Sequence, residues 1–146
     1  MNPDPKRLGI VLFAHGARDP RWAAPFEAVA ARVRAQRSGI EVRLAYLDLM
    51  QPDLPTAGAE LAAAGCGHVG VLPLFLGAGG HVREDLPRLL DALRNEYPDV
   101  RWVLHPPLGE LPAFVDAMAV TALGLLAGAD TPAAAAAMQP PAGPAA

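Results

Sequence analysis

The feature of this sequence that most constrains its fold is a repeated alternation of short apolar runs with longer amphipathic stretches. The apolar runs cover residues 8–14, 40–46, 68–74 and 100–105. They begin roughly 30 residues apart, the size of one strand–helix unit. The first of them, residues 8–14, is a continuous apolar run, which is typical of a strand buried on both faces. Pro73 is expected near the end of the third strand, because proline interrupts the hydrogen-bond ladder of a sheet.

Each apolar run is followed by a stretch with helical periodicity. The first helix is predicted to begin after Asp19-Pro20 and to end at Ser38-Gly39. The second covers residues 54–64 and stops at Gly65, and Pro112 opens a last helix whose apolar side chains run from residue 111 to 126. The predicted apolar stripes of the first and third helices are Trp22, Phe26, Val29 and Val33, and Leu86, Leu89, Leu90, Leu93 and Tyr97.

This order of elements predicts a parallel sheet with helices on both faces. We expect a flavodoxin-like α/β fold, a three-layer sandwich with a four-stranded parallel sheet in the order 2-1-3-4. The domain is expected to cover residues 1–127. From residue 128 the chain is almost entirely alanine, proline and glycine. Residues 128–146 are therefore predicted to be a disordered tail, because few large apolar side chains offset the entropy of ordering it.

Length, charge and cysteine content exclude several classes of protein. The chain has 146 residues, enough for one domain, and a formal net charge of −3, which gives no overall attraction for nucleic acid or an anionic membrane. Its single cysteine, Cys66, excludes an internal disulfide and a cysteine-rich zinc module. The apolar stretch at residues 117–129 is shorter than the roughly 20 residues of a membrane helix, and the N-terminus does not resemble a signal peptide. We expect a soluble cytoplasmic protein.

Side chains that can bind a metal ion or transfer a proton follow the predicted strands. His15 follows the first strand, Asp48 the second and His81 the third, and His105 ends the fourth. Parallel α/β sheets bind ligands at the carboxyl ends of their strands, in the crevice where the strand order reverses. In the order 2-1-3-4 the reversal lies between strands 1 and 3. The sequence therefore predicts that His15 and His81 meet in one crevice.

Two imidazoles and one carboxylate form a ligand set for a divalent cobalt, nickel, iron or zinc ion. Three protein ligands leave coordination positions open, as catalytic sites do. The alternative for each histidine is a hydrogen-bonded cap at the end of a strand or helix. His68, which begins a strand at the opposite edge of the sheet, is interpreted as structural. His105 is either a contact at the edge of the site or a hydrogen-bonded strand end.

Three other features have competing interpretations. The loop Gly77-Ala-Gly-Gly80 could cradle a phosphate, offer flat backbone to a planar ligand or simply make a tight turn. No Gly-Lys-Ser/Thr follows it, which excludes a P-loop. The only serine, Ser38, lies at a helix end, which excludes a hydrolase of the nucleophile-elbow type. Cys66, expected in a turn between helix and strand, is interpreted as an unreactive small residue.

Four segments lie at the ends of the predicted strands: FAHGARDP at residues 13–20, AYLDLMQPDLP at 45–55, VLPLFLGAGGHVREDLP at 71–87 and PPLG at 106–109. Together they resemble the small class II chelatases, the sirohydrochlorin cobaltochelatases and ferrochelatases of cobalamin and siroheme synthesis. The resemblance runs from about residue 8 to 126 and implies the flavodoxin-like fold. It also implies that His15 and His81 bind the metal and assist proton removal, joined by an acidic residue at Asp48.

The resemblance further implies insertion of a divalent metal, cobalt first, or iron or nickel, into sirohydrochlorin. The metal is then a substrate, and no permanent cofactor is expected. Arg18 and Arg83 are candidates to bind the carboxylates of the macrocycle, and Gly79 and Gly80 to contact it. Short members of the family are homodimers, so a homodimer is expected here.

Two departures from the family pattern bear on the site. The family commonly has serine where Ala17 stands, and glutamate more often than aspartate at Asp48, whose shorter side chain then reaches the metal through water. The residues alone leave two other functions open. One is a non-catalytic carrier of metal or tetrapyrrole. The other is a histidine phosphatase-like enzyme, although Ala14 stands where those enzymes need arginine.

Overall fold

The computed structural model describes residues 6–77 and 79–128 as four strands and four helices. The four strands form one parallel sheet in the order β2-β1-β3-β4. This confirms the predicted fold and strand order. The elements are β1 (Arg7–Ala14), α1 (Ala24–Gln36), β2 (Ile40–Tyr46), α2 (Leu54–Ala63), β3 (Cys66–Pro73), α3 (Gly80–Glu96), β4 (Arg101–Leu104) and α4 (Pro112–Gly128), with short 3-10 helices at Pro20–Ala23 and Leu108–Glu110.

The main hydrophobic core lies between the sheet and the helices α2 and α3. It is built from alternate residues of the central strands, such as Val11 and Phe13 of β1, and from Leu61 of α2 and Leu90 of α3. A smaller cluster around Leu12 packs under α1 on the other face of the sheet. Because both faces of β1 are covered, its residues 11–14 are all buried, as the continuous apolar run predicted.

The first helical segment differs from its prediction in two ways. The Asp19 side chain caps the 3-10 helix at Pro20–Ala23 rather than α1 itself, accepting from the Arg21 N–H at 2.9 Å. Val29, predicted on the apolar stripe, is 42% exposed. The helix meets the sheet along a narrow face that includes Ala30 and Val33, and Val29 lies outside it. The predicted stripe is therefore wrong at Val29.

Cys66 is the first residue of β3 rather than part of a turn, which corrects the predicted position. It is only 4% exposed, and burial raises the pKa of its thiol. Gly9 on the neighbouring strand makes room for the sulfur, because a Cβ at that position would lie 3.0 Å from Sγ. The thiol is thus held protonated within the core.

Asp53 caps the amino end of α2, where its carboxylate accepts from the Thr56 N–H at 2.9 Å. Hydrogen bonds from the Thr56 side chain and from its N–H lower the pKa of Asp53, so the contribution of Asp53 to stability is present at neutral pH and is lost as the pH falls through that lowered pKa. We expect Asp53→Ala to reduce the free energy of unfolding by about 1 kcal/mol, measured by urea denaturation at pH 7. Asp53→Asn, which keeps a capping oxygen, is the control and should lose only a small part of that.

The chain divides into two compact units, the first ending at Glu110 and the second beginning at Leu111. In the second unit, α4 opens at Pro112 as predicted and carries one ionisable side chain, Asp116, and none of its described residues is buried. The predicted disordered tail lies outside the described residues, apart from Gly128 at the end of α4. Within residues 6–77 and 79–128, no helix is long and apolar enough to cross a membrane.

Candidate functional site

His15 lies at the carboxyl end of β1, between the ends of β2 and β3. The segment after β2 is fixed to it by backbone hydrogen bonds, from the Leu47 N–H to the Ala14 carbonyl at 2.9 Å and from the Asp48 N–H to the His15 carbonyl at 3.0 Å. On the other side, the Leu74 N–H donates to the Phe13 carbonyl at 2.7 Å. The predicted reversal of strand order between β1 and β3 therefore lies at His15.

The His15 imidazole is exposed but rests on a buried aromatic ring. It stacks on Phe75, with ring centroids 4.1 Å apart and ring planes 28° apart. Phe75 is 2% exposed and packs in turn against Phe13, at a centroid distance of 5.9 Å. The core thus fixes one face of the imidazole. The sequence analysis did not identify Phe75 as a site residue. The sequence feature that could have indicated it is the presence of an aromatic residue just after the third strand.

Gly16 makes the turn that follows His15. Its φ is 90°, in the left-handed region that glycine adopts at no steric cost. A Cβ at this position would also collide with the carbonyl oxygen of Asp48. Glycine is therefore required twice over, by the backbone angle and by the close approach of the loop that carries Asp48.

Asp48 starts a tight turn centred on Leu49. Its carboxylate oxygen Oδ1 accepts from the Leu49 N–H at 2.8 Å, and its carbonyl accepts from the Met50 N–H at 2.9 Å. Leu49 has a φ of 66°, the only positive value at a non-glycine residue among those described. The hydrogen bond from Met50 to Asp48 makes this a γ-turn with positive φ, the rarer and more strained form. Such a conformation costs on the order of 1–3 kcal/mol.

His81 lies in the first turn of α3, not in a loop before the helix. Gly79 is the cap residue and Gly80 the first helical residue, followed by His81, Val82 and Arg83. Val82 packs against the main core. At roughly 100° per residue, His81 and Arg83 then lie on opposite flanks of Val82. Arg83 pairs with Glu110 of the 3-10 helix that follows β4, so His81 occupies the flank away from that pair.

The glycines before α3 are not required by the fold. Gly77, Gly79 and Gly80 have φ values outside the left-handed region, and a Cβ built on any of them would meet no atom within 4 Å. A tight turn therefore does not explain them. All three are exposed, so their backbone is open to close approach from outside.

A pocket of about 340 Å³ lies beside the site, between α3 and the carboxyl ends of β3 and β4. Its floor is apolar and includes Leu86 and Leu104. At its rim, Arg83 donates through Nη2 to Glu110 Oε1 at 2.7 Å. Both side chains are about half exposed, so this pair contributes at most about 1 kcal/mol to stability. It does fix the direction of Arg83. Arg18 is also exposed, three residues after His15.

The two remaining histidines, His68 and His105, both line a second pocket of about 260 Å³ that includes Gly70 of β3. His105 follows β4, where its N–H donates to the Val71 carbonyl at 2.9 Å. Its ring folds back over β3, and a Cβ at Gly70 would lie 2.8 Å from Nε2. His105 also lines the pocket beside Arg83. His68, the third residue of β3, lies in the amino-terminal half of that strand, away from the site edge.

The structure brings the predicted site residues to one edge of the sheet without forming a closed metal centre. Among residues 6–77 and 79–128, no group of three or more His, Cys, Asp or Glu side chains is arranged to hold a metal ion. A backbone hydrogen bond joins Asp48 to His15, and His81 is the second residue of α3, the helix that follows β3. The predicted ligand set of His15, His81 and Asp48 stays a prediction.

Comparison with known proteins identifies similar chains. The family model described as CbiX matches residues 9–122. A sirohydrochlorin cobaltochelatase of Methanothermobacter thermautotrophicus is 34% identical over 89 residues, 61% of this chain and 61% of its own length. One from Saccharolobus solfataricus is 31% identical over 96 residues, covering 66% and 73%. This chain thus spans about three fifths of the length of the first of these relatives.

A solved structure extends the similarity to the fold. The crystal structure of a CbiX protein from Marinobacter aquaeolei VT8 superposes with a TM-score of 0.71 at 32% identity. The match covers 82% of this chain and 97% of that one. The similarity therefore includes nearly all of the other chain.

Proposed function

Because the chain belongs to the CbiX family, we propose that it inserts a divalent metal ion into sirohydrochlorin, with cobalt as the preferred metal. The names of the curated relatives support the substrate and the metal. Iron, as in siroheme synthesis, and nickel are the alternatives, since imidazole and carboxylate ligands suit all three ions. The observation that carries the proposal is the exposed His15 imidazole, seated on Phe75 at the reversal of strand order.

The reaction exchanges one metal ion for two protons. The divalent metal forms bonds to the pyrrole nitrogens, and the two N–H protons of the macrocycle leave to a base or to water. A histidine titrates near neutral pH and suits this role. We assign His15 and His81 to hold the incoming metal and to accept protons. Asp48 joins them, directly or through a water molecule.

The open arrangement of the proposed metal ligands supports this function. Two neutral imidazoles and one carboxylate leave open coordination positions for the nitrogens of the macrocycle. Exposure of His15, Asp48 and His81 to solvent leaves them accessible to a large planar substrate. A metal that must be transferred cannot be enclosed, so an open set of ligands fits the reaction better than a structural site does.

The same edge offers groups for the macrocycle. We assign Arg18 and Arg83 to its peripheral carboxylates, because guanidinium groups bind carboxylates with two parallel hydrogen bonds. Gly79 and Gly80 provide backbone without side chains, and the fold gives no steric reason for glycine there. The close approach of a flat ligand to this backbone would be a steric reason for glycine at both positions. We also propose a homodimer in the cytoplasm, with the metal as a substrate and no permanent cofactor.

A spectral assay tests the function. Purified protein is mixed with sirohydrochlorin and with Co²⁺, Fe²⁺ or Ni²⁺ in turn, and the absorption change on metal insertion is followed against the reaction without protein. We expect catalysed insertion, fastest with cobalt. Stable binding of metal or macrocycle without turnover would indicate a carrier instead. Hydrolysis of a generic phosphate ester would indicate a phosphatase.

A further inference from the structure

Two exposed leucines flank His15 at the carboxyl edge of the sheet. Leu49 is 59% exposed and Leu76 is 66% exposed. Each is one residue away from a direct contact with His15. Leu49 follows Asp48, whose N–H donates to the His15 carbonyl, and Leu76 follows Phe75, on which the imidazole stacks. Since β1 lies between β2 and β3, the two leucines lie on opposite sides of His15.

The backbone of Leu49 argues against a purely structural role. Positive φ favours glycine, asparagine or aspartate, and leucine is an outlier there. Its side chain is too exposed to contribute much to the core, so neither the turn nor the packing explains leucine at this position. A strained backbone that presents an apolar side chain to solvent is a feature of ligand-binding sites.

The backbone of Leu76 is fixed by a different contact. The Gly109 N–H donates to the Phe75 carbonyl at 2.9 Å, and a Cβ at Gly109 would collide with the Leu76 carbonyl oxygen. The segment of residues 108–110 therefore packs closely against Leu76, which leaves its side chain directed to solvent from a well-supported backbone.

We propose that Leu49 and Leu76 are positioning residues that pack against the flat apolar surface of the macrocycle and hold it over His15. This inference rests on the proposed function. A carboxylated tetrapyrrole has a charged rim and apolar faces. Arginines can bind the rim, but the faces need apolar contacts, which release water from both surfaces. Leu49 and Leu76 provide such contacts on both sides of the residue assigned to the metal.

The decisive variant is Leu49→Asn. Asparagine tolerates positive φ, so a purely structural role predicts unchanged or greater stability and unchanged binding. If Leu49 packs on the macrocycle, the Kd for metal-free sirohydrochlorin, measured by fluorescence titration, should rise roughly tenfold, as expected for losing most of the burial of one leucine. The KM should rise in parallel, with a smaller change in kcat. Leu76→Ala should have a similar effect, and Leu49→Asn/Leu76→Ala a larger one.

Val29→Ala is the matched control, because it removes an exposed apolar side chain from α1 and should leave Kd unchanged. An unchanged Kd in both leucine variants would overturn the inference. If the sedimentation coefficient of these variants changed while Kd did not, the leucines would contact a second copy of the chain instead of the macrocycle. If the unsubstituted protein does not bind sirohydrochlorin, the proposed function and this inference both fail. If it binds and the leucine variants bind equally well, this inference alone fails.

Discussion

Alanine in place of His15, or in place of His81, is expected to lower the rate of metal insertion into sirohydrochlorin by roughly 100-fold or more. Each substitution removes one of the two imidazoles that we assign to the metal and to the pyrrole protons. Initial rates at saturating cobalt and sirohydrochlorin measure the effect, with circular dichroism to confirm that each variant is folded. A near-normal rate in either variant would contradict the assignment of that histidine.

Two further variants separate chemistry from packing. His15→Phe keeps an aromatic ring that can stack on Phe75 but has no nitrogen, so it should be as inactive as His15→Ala while retaining more stability. His68→Ala removes a histidine from the amino-terminal half of β3 and should leave kcat unchanged. If His15→Phe were active, the role of residue 15 would be to pack on Phe75 and not to bind metal.

Gly16→Ala is expected to lower the free energy of unfolding by about 3 kcal/mol, since it combines the cost of positive φ with a collision against backbone. The colliding atom is the Asp48 carbonyl oxygen, so relief requires the segments carrying His15 and Asp48 to move apart. We therefore expect the rate of insertion to fall as well. Urea denaturation measures the first effect and the spectral assay the second.

Gly39 and Gly65 provide matched controls for this substitution. Their φ values are 86° and 85°, close to that of Gly16, but a Cβ at either would meet no atom within 4 Å. Gly39→Ala and Gly65→Ala should therefore cost only about 1 kcal/mol and leave activity intact. Equal losses of stability in all three variants would show that backbone angle alone matters and that the contact with Asp48 does not.

The sheet could be predicted from the sequence because its determinants are local. Continuous apolar runs such as residues 8–14 have the length of buried strands, and glycines such as Gly65 end the helices between them. The positions of His15 and Asp48 followed from the strand ends without any knowledge of contacts. Strand order followed from the fold class, and the structure confirms it.

The details of the site could not be predicted in the same way, because they depend on contacts between distant segments. Stacking of His15 on Phe75 joins residues that are far apart in sequence, as does the ion pair between Arg83 and Glu110. The positive φ of Leu49 contradicts the preference of leucine itself. The local preference of leucine predicts a negative φ at this position. The hydrogen bonds of the turn, which join Asp48 to Leu49 and Met50, determine the backbone angle instead.

Pro87 within α3 has a consequence for the residues that precede it. Proline has no N–H, so the first turn of α3 is joined to the rest of the helix by one backbone hydrogen bond fewer than usual. Beyond it, Leu90 and Leu93 anchor the helix in the core. The turn that carries His81 and Arg83 therefore depends more on its side-chain contacts, such as that of Val82 with the core, than on the backbone hydrogen bonds of α3.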